Sequence, residues 1–300
     1  MLLLPSSPLP SPLALLPLYR NAAIDLRTPE DTPHALLFAD ARTFHDSYLR
    51  IMDNMLPFGA KVGGLVAGTQ LLGDEVKEGS IGLLLDGGVD IDPMVCQGCL
   101  PLTDRKFKIT GSSLSTITHL DGEPAFEVLQ PIIKEFEEST ELQGGHLFGT
   151  LSVDSEAVKP KAATGDDNDD DEKDASSSRN PSFLVRVILN LSPMGIGLAV
   201  EPEYLRECED FSLQIFNPNT AMTELGLRLK DRTVDPLGAL MFSCSGRGLQ
   251  LYGRSGVESD ILNAKWGDSL AKAGFFAAGE IGPVGDRTYV HAFTSSCALF

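Results

Sequence analysis

The sequence contains little cysteine, tryptophan or positive charge, and it has no unbroken hydrophobic run long enough to span a membrane. Its 300 residues include 5 cysteines, 1 tryptophan, and 24 lysines and arginines against 42 acidic residues. An odd and sparse set of cysteines excludes the disulfide framework of a small secreted protein and predicts reduced thiols. The net charge of -18 disfavours binding to nucleic acids and to anionic membrane surfaces, because both would repel the chain.

The most apolar segment is the amino-terminal end, and prolines interrupt it. Prolines stand at positions 5, 8, 10, 12 and 17, whereas a membrane-spanning helix needs roughly 20 mostly apolar residues without such breaks. We therefore predict that residues 1–33 form a disordered tail. Two alternatives stay open: an organelle transit peptide, since no acidic residue precedes Asp25, and a wrongly assigned start.

A second unusual segment is strongly acidic. Between positions 166 and 174 the chain carries a dense run of aspartates and glutamates offset only by Lys173. Such a run stays solvated unless it meets partners of opposite charge. Residues 154–181 are therefore predicted to form a disordered surface insertion.

The rest of the chain alternates short apolar runs with amphipathic segments. We predict helices at 43–55, 124–136 and 220–230, and strands at 35–39, 60–68, 79–87, 95–102, 107–111, 116–120, 183–191, 197–200, 211–216 and 236–244, with two more between 273 and 300. This order predicts an α/β (mixed α+β) fold of two lobes, 34–150 and 182–300, each a twisted mixed sheet flanked by helices. A faint likeness between residues 62–64 and 276–280 suggests an internal duplication.

Several blocks of the sequence resemble the FIST family (F-box and intracellular signal transduction). They are residues 62–68, which resemble the later part of its N-terminal module, then 95–102, 119–125, 239–253, 273–285 and 289–296. The blocks follow the family's order and cover 34–300 outside the acidic segment. Phe216-Asn217 replaces an Arg-Asp pair of many relatives, the first strands of the N-terminal module have no counterpart, and no F-box is recognisable.

The resemblance implies an intracellular sensory domain that binds small ligands such as amino acids. It also implies a protein partner that receives the signal. The alternative functions are a protein-interaction scaffold and, less favoured, a Cys/His-dependent enzyme. The expected compartment is the cytoplasm or, if the amino-terminal end is a transit peptide, a chloroplast or another organelle. Some relatives bind haem, which leaves haem as a minor alternative to the expectation that no cofactor is bound. An adaptor role in ubiquitin ligases is not expected without an F-box.

Arg247 is the main candidate ligand-binding residue. It lies between Gly246 and Gly248, which let the backbone turn sharply, and a guanidinium can hold a carboxylate through two parallel hydrogen bonds. Glu280, which follows Gly279, would then accept the ligand's ammonium group. The alternative is that Arg247 and Glu280 pair with each other or with backbone carbonyls and only stabilise the fold.

Two further residues, Gln97 and Asp121, are expected on loops that complete this pocket. His291 could bind the ligand, or ligate iron if haem were present. Together with Cys244 it could also form a Cys/His catalytic pair, although a cysteine at the end of a buried strand is more often a packing residue. The CxxC pair at 96 and 99 lacks the second pair of ligands that a zinc site needs, so no metal site is predicted.

Overall fold

The computed structural model describes residues 2–3, 33–68, 70–72, 75–77, 79–85, 88–139, 145–153, 183–230 and 232–300. These residues form two compact units. Unit 1 contains residues 1–96 and 225–300, and unit 2 contains residues 97–224. Unit 2 is therefore inserted in sequence within unit 1, whereas the predicted lobes, 34–150 and 182–300, follow each other along the chain.

The strands are numbered in chain order. They are β1 Leu2–Leu3, β2 His34–Asp40, β3 Lys61–Val66, β4 Gln70–Leu72, β5 Glu75–Lys77, β6 Ile81–Leu85, β7 Asp92–Cys96, β8 Cys99–Pro101, β9 Phe107–Ser113, β10 Thr116–Leu120, β11 Glu123–Pro124, β12 His146–Val153, β13 Phe183–Ser192, β14 Gly195–Leu198, β15 Cys208–Phe216, β16 Gly238–Cys244, β17 Ala271–Ala277, β18 Glu280–Val284, β19 Arg287–His291 and β20 Ser295–Leu299.

The helices of the described residues are numbered in the same way. They are α1 Ser47–Met55, α2 Ala125–Glu138, α3 Pro202–Arg206, α4 Pro218–Lys230, α5 Leu249–Tyr252 and α6 Val257–Trp266. None of the helices in these parts of the chain is long and apolar enough to span a bilayer.

Unit 1 contains two main sheets and a short hairpin. One sheet has the order β1-β6-β2-β3-β18-β19, the other has the order β17-β16-β20-β7, and β4 pairs with β5. Both main sheets are mixed, because β2 runs parallel to β3 and β16 parallel to β17 while their other pairs are antiparallel. Each sheet therefore joins strands from the two ends of the chain.

The two segments that resemble each other in sequence are direct neighbours in the first sheet. Gly64 of β3 pairs with Glu280 of β18, and Leu65 exchanges backbone hydrogen bonds with Gly279 and Ala278. An added Cβ at Gly64 would lie 2.9 Å from the Cβ of Ala277. Glycine is needed at position 64 because the second sheet approaches the β3 backbone too closely for a side chain.

Unit 2 is built on one antiparallel sheet of eight strands. Its order is β11-β10-β14-β13-β12-β15-β8, and β9 pairs with both β10 and β15. The amphipathic helix α2 packs its apolar side against this sheet, where Leu129 joins buried residues such as Ile117, Leu198 and Phe211. This burial of one helix face and one sheet face is what holds a mixed α+β unit together.

The predicted mixed α+β fold class is confirmed, and most predicted elements are present. Strand β10 and helix α2 lie close to their predicted positions, and Pro124 directly precedes α2. Helix α1 begins at Ser47 rather than near Thr43, because the chain turns between Ala41 and Thr43. The prediction of two strands after residue 273 is wrong: four strands, β17 to β20, occupy this stretch.

Two predicted segments lie mostly or wholly outside the described residues. These are the amino-terminal tail, 1–33, and the acidic insertion, 154–181. The sequence patterns also failed to indicate the helices α5 and α6, which follow the Gly-rich turn after β16.

Candidate functional site

Unit 1 contains an open cavity of about 360 Å³. Its floor is one face of the paired strands β16 and β17, and its other wall is α6 together with the end of α5. Met241, Leu262 and Phe276 give it apolar surface, while Ser243 and Glu258 supply polar groups. A concave, largely apolar hollow with a few convergent polar groups is the usual form of a small-molecule site.

The strand register fixes the order of side chains along the floor of the cavity. Strands β16 and β17 run parallel, with Ala239 opposite Lys272 and Ser243 opposite Phe276. Because alternate residues of a strand share a face, Lys272 lies at one end of the floor and Ser243 with Phe276 at the other. The two ends are four residues apart, roughly 13 Å along the strands.

Arg247 is buried directly behind the polar end of the cavity. It is 1% exposed, and its guanidinium donates from Nε to Glu258 Oε1 at 2.6 Å, from Nη1 to the carbonyl of Phe293 at 2.9 Å and from Nη2 to Tyr252 Oη at 3.0 Å. Nearby negative charge, chiefly Glu258, outweighs burial and raises the pKa of Arg247 above its ordinary value. The guanidinium is therefore a permanent cation held by protein groups.

Glu258, at the start of α6, accepts hydrogen bonds on both carboxylate oxygens. Oε1 accepts from Arg247 and from Tyr252 Oη at 3.0 Å, and Oε2 accepts from the hydroxyls of Ser243 and of Ser295, the latter at 2.8 Å. Burial opposes ionisation, but Arg247 and the two serine hydroxyls more than offset it and lower the pKa of Glu258. The carboxylate is thus ionised at neutral pH and satisfied by the protein itself.

The glycines around Arg247 shape the turn that presents this network. Gly248 has a φ of 68°, which favours glycine, and an added Cβ would lie 2.6 Å from the Phe276 ring. Gly246 lies against the ring of Phe293, where an added Cβ would find the ring at 3.4 Å. The turn is therefore tightly packed, and Gly248 and Phe276 together close one end of the cavity.

Glu280 is not one of the residues that line the cavity. Its side chain is fully buried at the start of β18, Oε2 accepts a hydrogen bond from the Thr294 amide at 3.1 Å, and Oε1 has no hydrogen-bond partner among the described residues. Burial raises the pKa of Glu280 from its ordinary value of 4.5 to about 8, so it carries a proton at neutral pH. Gly279 beside it allows the close approach of Leu65.

The geometry around Cys244 and His291 gives no support to a catalytic pair. Both side chains are buried, and His291 Nε2 lies 3.1 Å from the carbonyl oxygen of Gly282. Burial, followed by the nearby Glu280, raises the pKa of the Cys244 thiol. A nucleophilic cysteine requires the opposite shift, because the thiolate is the reactive form.

Gln97 and Asp121 lie in unit 2 and are not among the residues that line the cavity. Gln97 is buried and donates from Nε2 to the carbonyl of Phe183 at 2.7 Å. Asp121 occupies the β10–β11 turn with a φ of 54°, where its carboxylate accepts from the Lys108 amide at 2.8 Å and pairs with Arg105 at 3.1 Å. Both side chains therefore hold local structure in unit 2.

The sequence pattern indicates Arg247 but not its partner, Glu258. Glu258 is eleven residues further on, and nothing in the local pattern sets it apart from the other acidic residues of the chain. Tyr252, Ser243 and Ser295 were missed for the same reason, since neither tyrosine nor serine carries a sequence signal for a buried network. The one usable signal was the four glycines between positions 246 and 256, which mark a tightly turned segment.

No cluster of metal-ligating side chains occurs in the described parts of the chain. Of the residues considered for haem, His291 is buried and has its Nε2 directed to the Gly282 carbonyl. The cavity itself is lined by no histidine or cysteine. His291 is therefore not placed to ligate an iron in this cavity.

Two family models match this chain. One is described as the FIST N domain and matches residues 12–123, and the other is described as the FIST C domain and matches residues 125–283. The cavity and its polar network lie almost entirely within the second range. The matches begin at 12 and 125, earlier than the boundaries at 34 and 182 suggested by the sequence blocks.

Curated relatives are similar over most of the chain. Uncharacterized protein Rv0628c of Mycobacterium tuberculosis is 29% identical over 283 residues, which cover 88% of this chain and 67% of the relative. Uncharacterized protein Mb0898c of Mycobacterium bovis is 30% identical over 283 residues, with the same two coverages. The similarity thus extends over both matched domains.

Proposed function

This chain belongs to the FIST family, and from that premise we propose that it is a sensory protein that binds a small molecule in the cavity of unit 1. The ligand is of amino-acid size, and its binding supplies the signal that a protein partner reads. All five cysteines are buried free thiols, which suits a reducing intracellular compartment.

The observation that carries the proposal is the buried polar network in the wall of an otherwise apolar cavity. Burying charged groups costs free energy unless they are paired and hydrogen-bonded. Here Arg247, Glu258, Tyr252 and two serines satisfy one another next to open space. Such a network holds this end of the cavity in a fixed shape, so that a ligand enters a preorganised space.

The role proposed for Arg247 differs from the one expected from the sequence. Glu258, Tyr252 and Phe293 already accept hydrogen bonds from its guanidinium. Arg247 therefore positions the wall of the cavity and does not bind the ligand directly. The Gly246–Gly248 turn holds Arg247 in place and leaves the ring of Phe276 at the cavity rim. Glu280, Gly279 and His291 support the neighbouring strands β18 and β19.

Ligand binding can be tested by measuring thermal shifts of the full chain. A panel of amino acids, small carboxylic acids, amines and sugars would be titrated, because a ligand that binds the folded state raises the melting temperature with concentration. The variant Ser259→Trp places a large ring at an exposed position of α6 that lines the cavity. We expect this variant to lose the thermal shift of every ligand that the unmodified chain binds.

The matched control is Ala264→Trp. Ala264 is also an exposed residue of α6, five positions after Ser259, but it does not line the cavity. This variant should keep the full ligand response. A ligand whose thermal shift survives in Ser259→Trp but disappears in Ala264→Trp would contradict the assignment of the cavity as the binding site.

A further inference from the structure

The charges along the cavity indicate which class of ligand it accepts, and this inference rests on the proposed function. Glu258 and Lys272 are the two charged side chains among the described residues that line the cavity. They lie at opposite ends, because Lys272 is opposite Ala239 in the strand register and Glu258 bonds to Ser243. Lys272 can still bind a group of the ligand, whereas Glu258 cannot.

Glu258 has no capacity left for a ligand. An ionised carboxylate offers about four acceptor sites, and four donors already occupy them: Arg247 Nε, Tyr252 Oη and the two serine hydroxyls. The positive charge of Arg247, 2.6 Å away, also cancels the field of the carboxylate. An ammonium group entering the cavity would find neither a free acceptor nor a net negative charge.

Lys272 is in the opposite situation. Its ammonium group donates to Asn263 Oδ1 and to the carbonyl of Leu270 at 3.1 Å, and both acceptors are neutral. An ammonium group has three N–H donors, so one remains. Within the described part of the chain Lys272 forms no ion pair, and its charge therefore stays uncompensated at the cavity's far end.

We propose that the cavity selects a monoanionic ligand with an apolar body, such as a small monocarboxylic acid, over zwitterions and amines. The carboxylate would pair with Lys272, and the body would lie along Met241 toward the exposed ring of Phe276. The charged groups around the cavity sum to +1, because Lys272 contributes one positive charge and the charges of Arg247 and Glu258 cancel. A zwitterionic amino acid brings a positive group that this wall does not compensate.

Four compounds with the same phenyl and three-carbon skeleton test this selection by titration calorimetry at pH 7. They are 3-phenylpropanoate, the neutral 3-phenylpropanamide, the cationic 3-phenylpropylamine and zwitterionic phenylalanine. One charge-assisted hydrogen bond at a half-buried lysine is expected to make 3-phenylpropanoate bind about tenfold more tightly than the other three. Equal or tighter binding of phenylalanine or the amine would overturn the inference.

Substitutions of Lys272 link the preference to one group. Lys272→Met keeps the length of the side chain but removes its charge, so the acid and the amide should then bind within about twofold of each other. Lys272→Arg should keep the preference, and it also guards against a fold effect from loss of the Asn263 contact. The exposed Lys230→Met removes one positive charge elsewhere in unit 1 and should leave all four affinities unchanged.

The outcomes separate this inference from the proposed function. If the four compounds bind equally, and Ser259→Trp abolishes the binding of all of them, the cavity is the site and the charge selection is wrong. If 3-phenylpropanoate alone binds but Lys272→Met does not weaken it, the assignment of Lys272 is wrong. If none of the four binds, the selection is wrong, and the broad panel with Ser259→Trp decides whether the cavity is a binding site.

Discussion

Arg247 and Glu258 form a buried ion pair whose two members depend on each other. Removing one partner leaves a buried charge without compensation, which typically costs 3–5 kcal/mol. We therefore expect Arg247→Met to lower the free energy of unfolding by about 3 kcal/mol or more, measured by urea denaturation. Adding Glu258→Gln should recover part of this loss, because the double variant no longer buries an unpaired charge.

The control for this prediction is an ion pair close by in sequence. Arg254 and Asp260 are 2.7 Å apart, but their side chains are 60% and 58% exposed. Exposed pairs contribute about 0–1 kcal/mol, so Arg254→Met should change stability by less than about 1 kcal/mol. A similar loss in both arginine variants would show that burial does not determine the strength of the Arg247 pair.

Glu280 should make the stability of the protein fall as the pH rises. Its folded-state pKa is about 8 against an ordinary value of 4.5. Below about pH 4.5 both states hold the proton, whereas between 4.5 and 8 only the folded state keeps it. The contribution of Glu280 to stability is thus complete at low pH, declines through this window by at most about 1.4 kcal/mol per pH unit, and is lost above pH 8.

Urea denaturation at several pH values checks the role of Glu280. Glu280→Gln keeps the size of the side chain but cannot ionise, so its free energy of unfolding should decline less than that of the unmodified chain between pH 5 and pH 8. Asp268→Asn, at an exposed position, should leave the decline in place. An unchanged pH dependence in Glu280→Gln would contradict the raised pKa.

At the scale of whole elements, the backbone of β3 passes close to the second sheet of unit 1 at Gly64. A Cβ at Gly64 would lie 2.9 Å from Ala277 and 3.3 Å from the Phe275 ring. Overpacking of this kind costs typically 1–3 kcal/mol, and Gly64→Ala should therefore lower the melting temperature. The loss should appear in differential scanning calorimetry of the full chain.

Helix α4 provides the matched glycine for this comparison. Gly226 is exposed in the helix interior, and nothing lies within 4 Å of an added Cβ. Alanine is favoured over glycine in a helix by up to about 1 kcal/mol, so Gly226→Ala should raise the melting temperature. If both alanine variants shifted the melting temperature in the same direction, local space would not explain the effect at position 64.

At the scale of the whole molecule, the five buried thiols lie in both units, so their labelling can follow the unfolding of each unit. Cys96, Cys244 and Cys297 belong to unit 1, and Cys99 and Cys208 belong to unit 2. Burial raises the pKa of Cys208 to about 11 and that of Cys297 to about 12. Buried thiols with raised pKa values react slowly, so the native protein should resist a thiol reagent until it opens.

Mass spectrometry after pulse labelling in increasing urea measures this protection. We expect no labelling of the five thiols in native buffer within minutes, and complete labelling in the unfolded chain. A reducing agent should leave the unfolding midpoint unchanged, since the described cysteines form no disulfide. Rapid labelling of Cys244 in native buffer would contradict its burial.

Much of the fold could be predicted from the sequence because local patterns carry it. Alternating or continuous apolar runs predicted strands such as β10. The helical spacing of Leu129 and its apolar neighbours predicted helix α2. The Gly-Arg-Gly motif at 246–248 correctly marked a tight turn with an arginine at its centre. The residue types of each segment, together with the order of the FIST-like blocks, were sufficient for the family and the fold class.

The partners of those residues were decided only by the tertiary structure. Arg247 could have paired with any of 42 acidic residues, and the sequence suggested Glu280, which is fully buried and protonated at neutral pH. Helix α6 instead brings Glu258 over the strands, and the parallel pairing of β16 with β17 sets Lys272 at the far end of the cavity. Such contacts depend on the packing of elements distant along the chain, which local patterns do not encode.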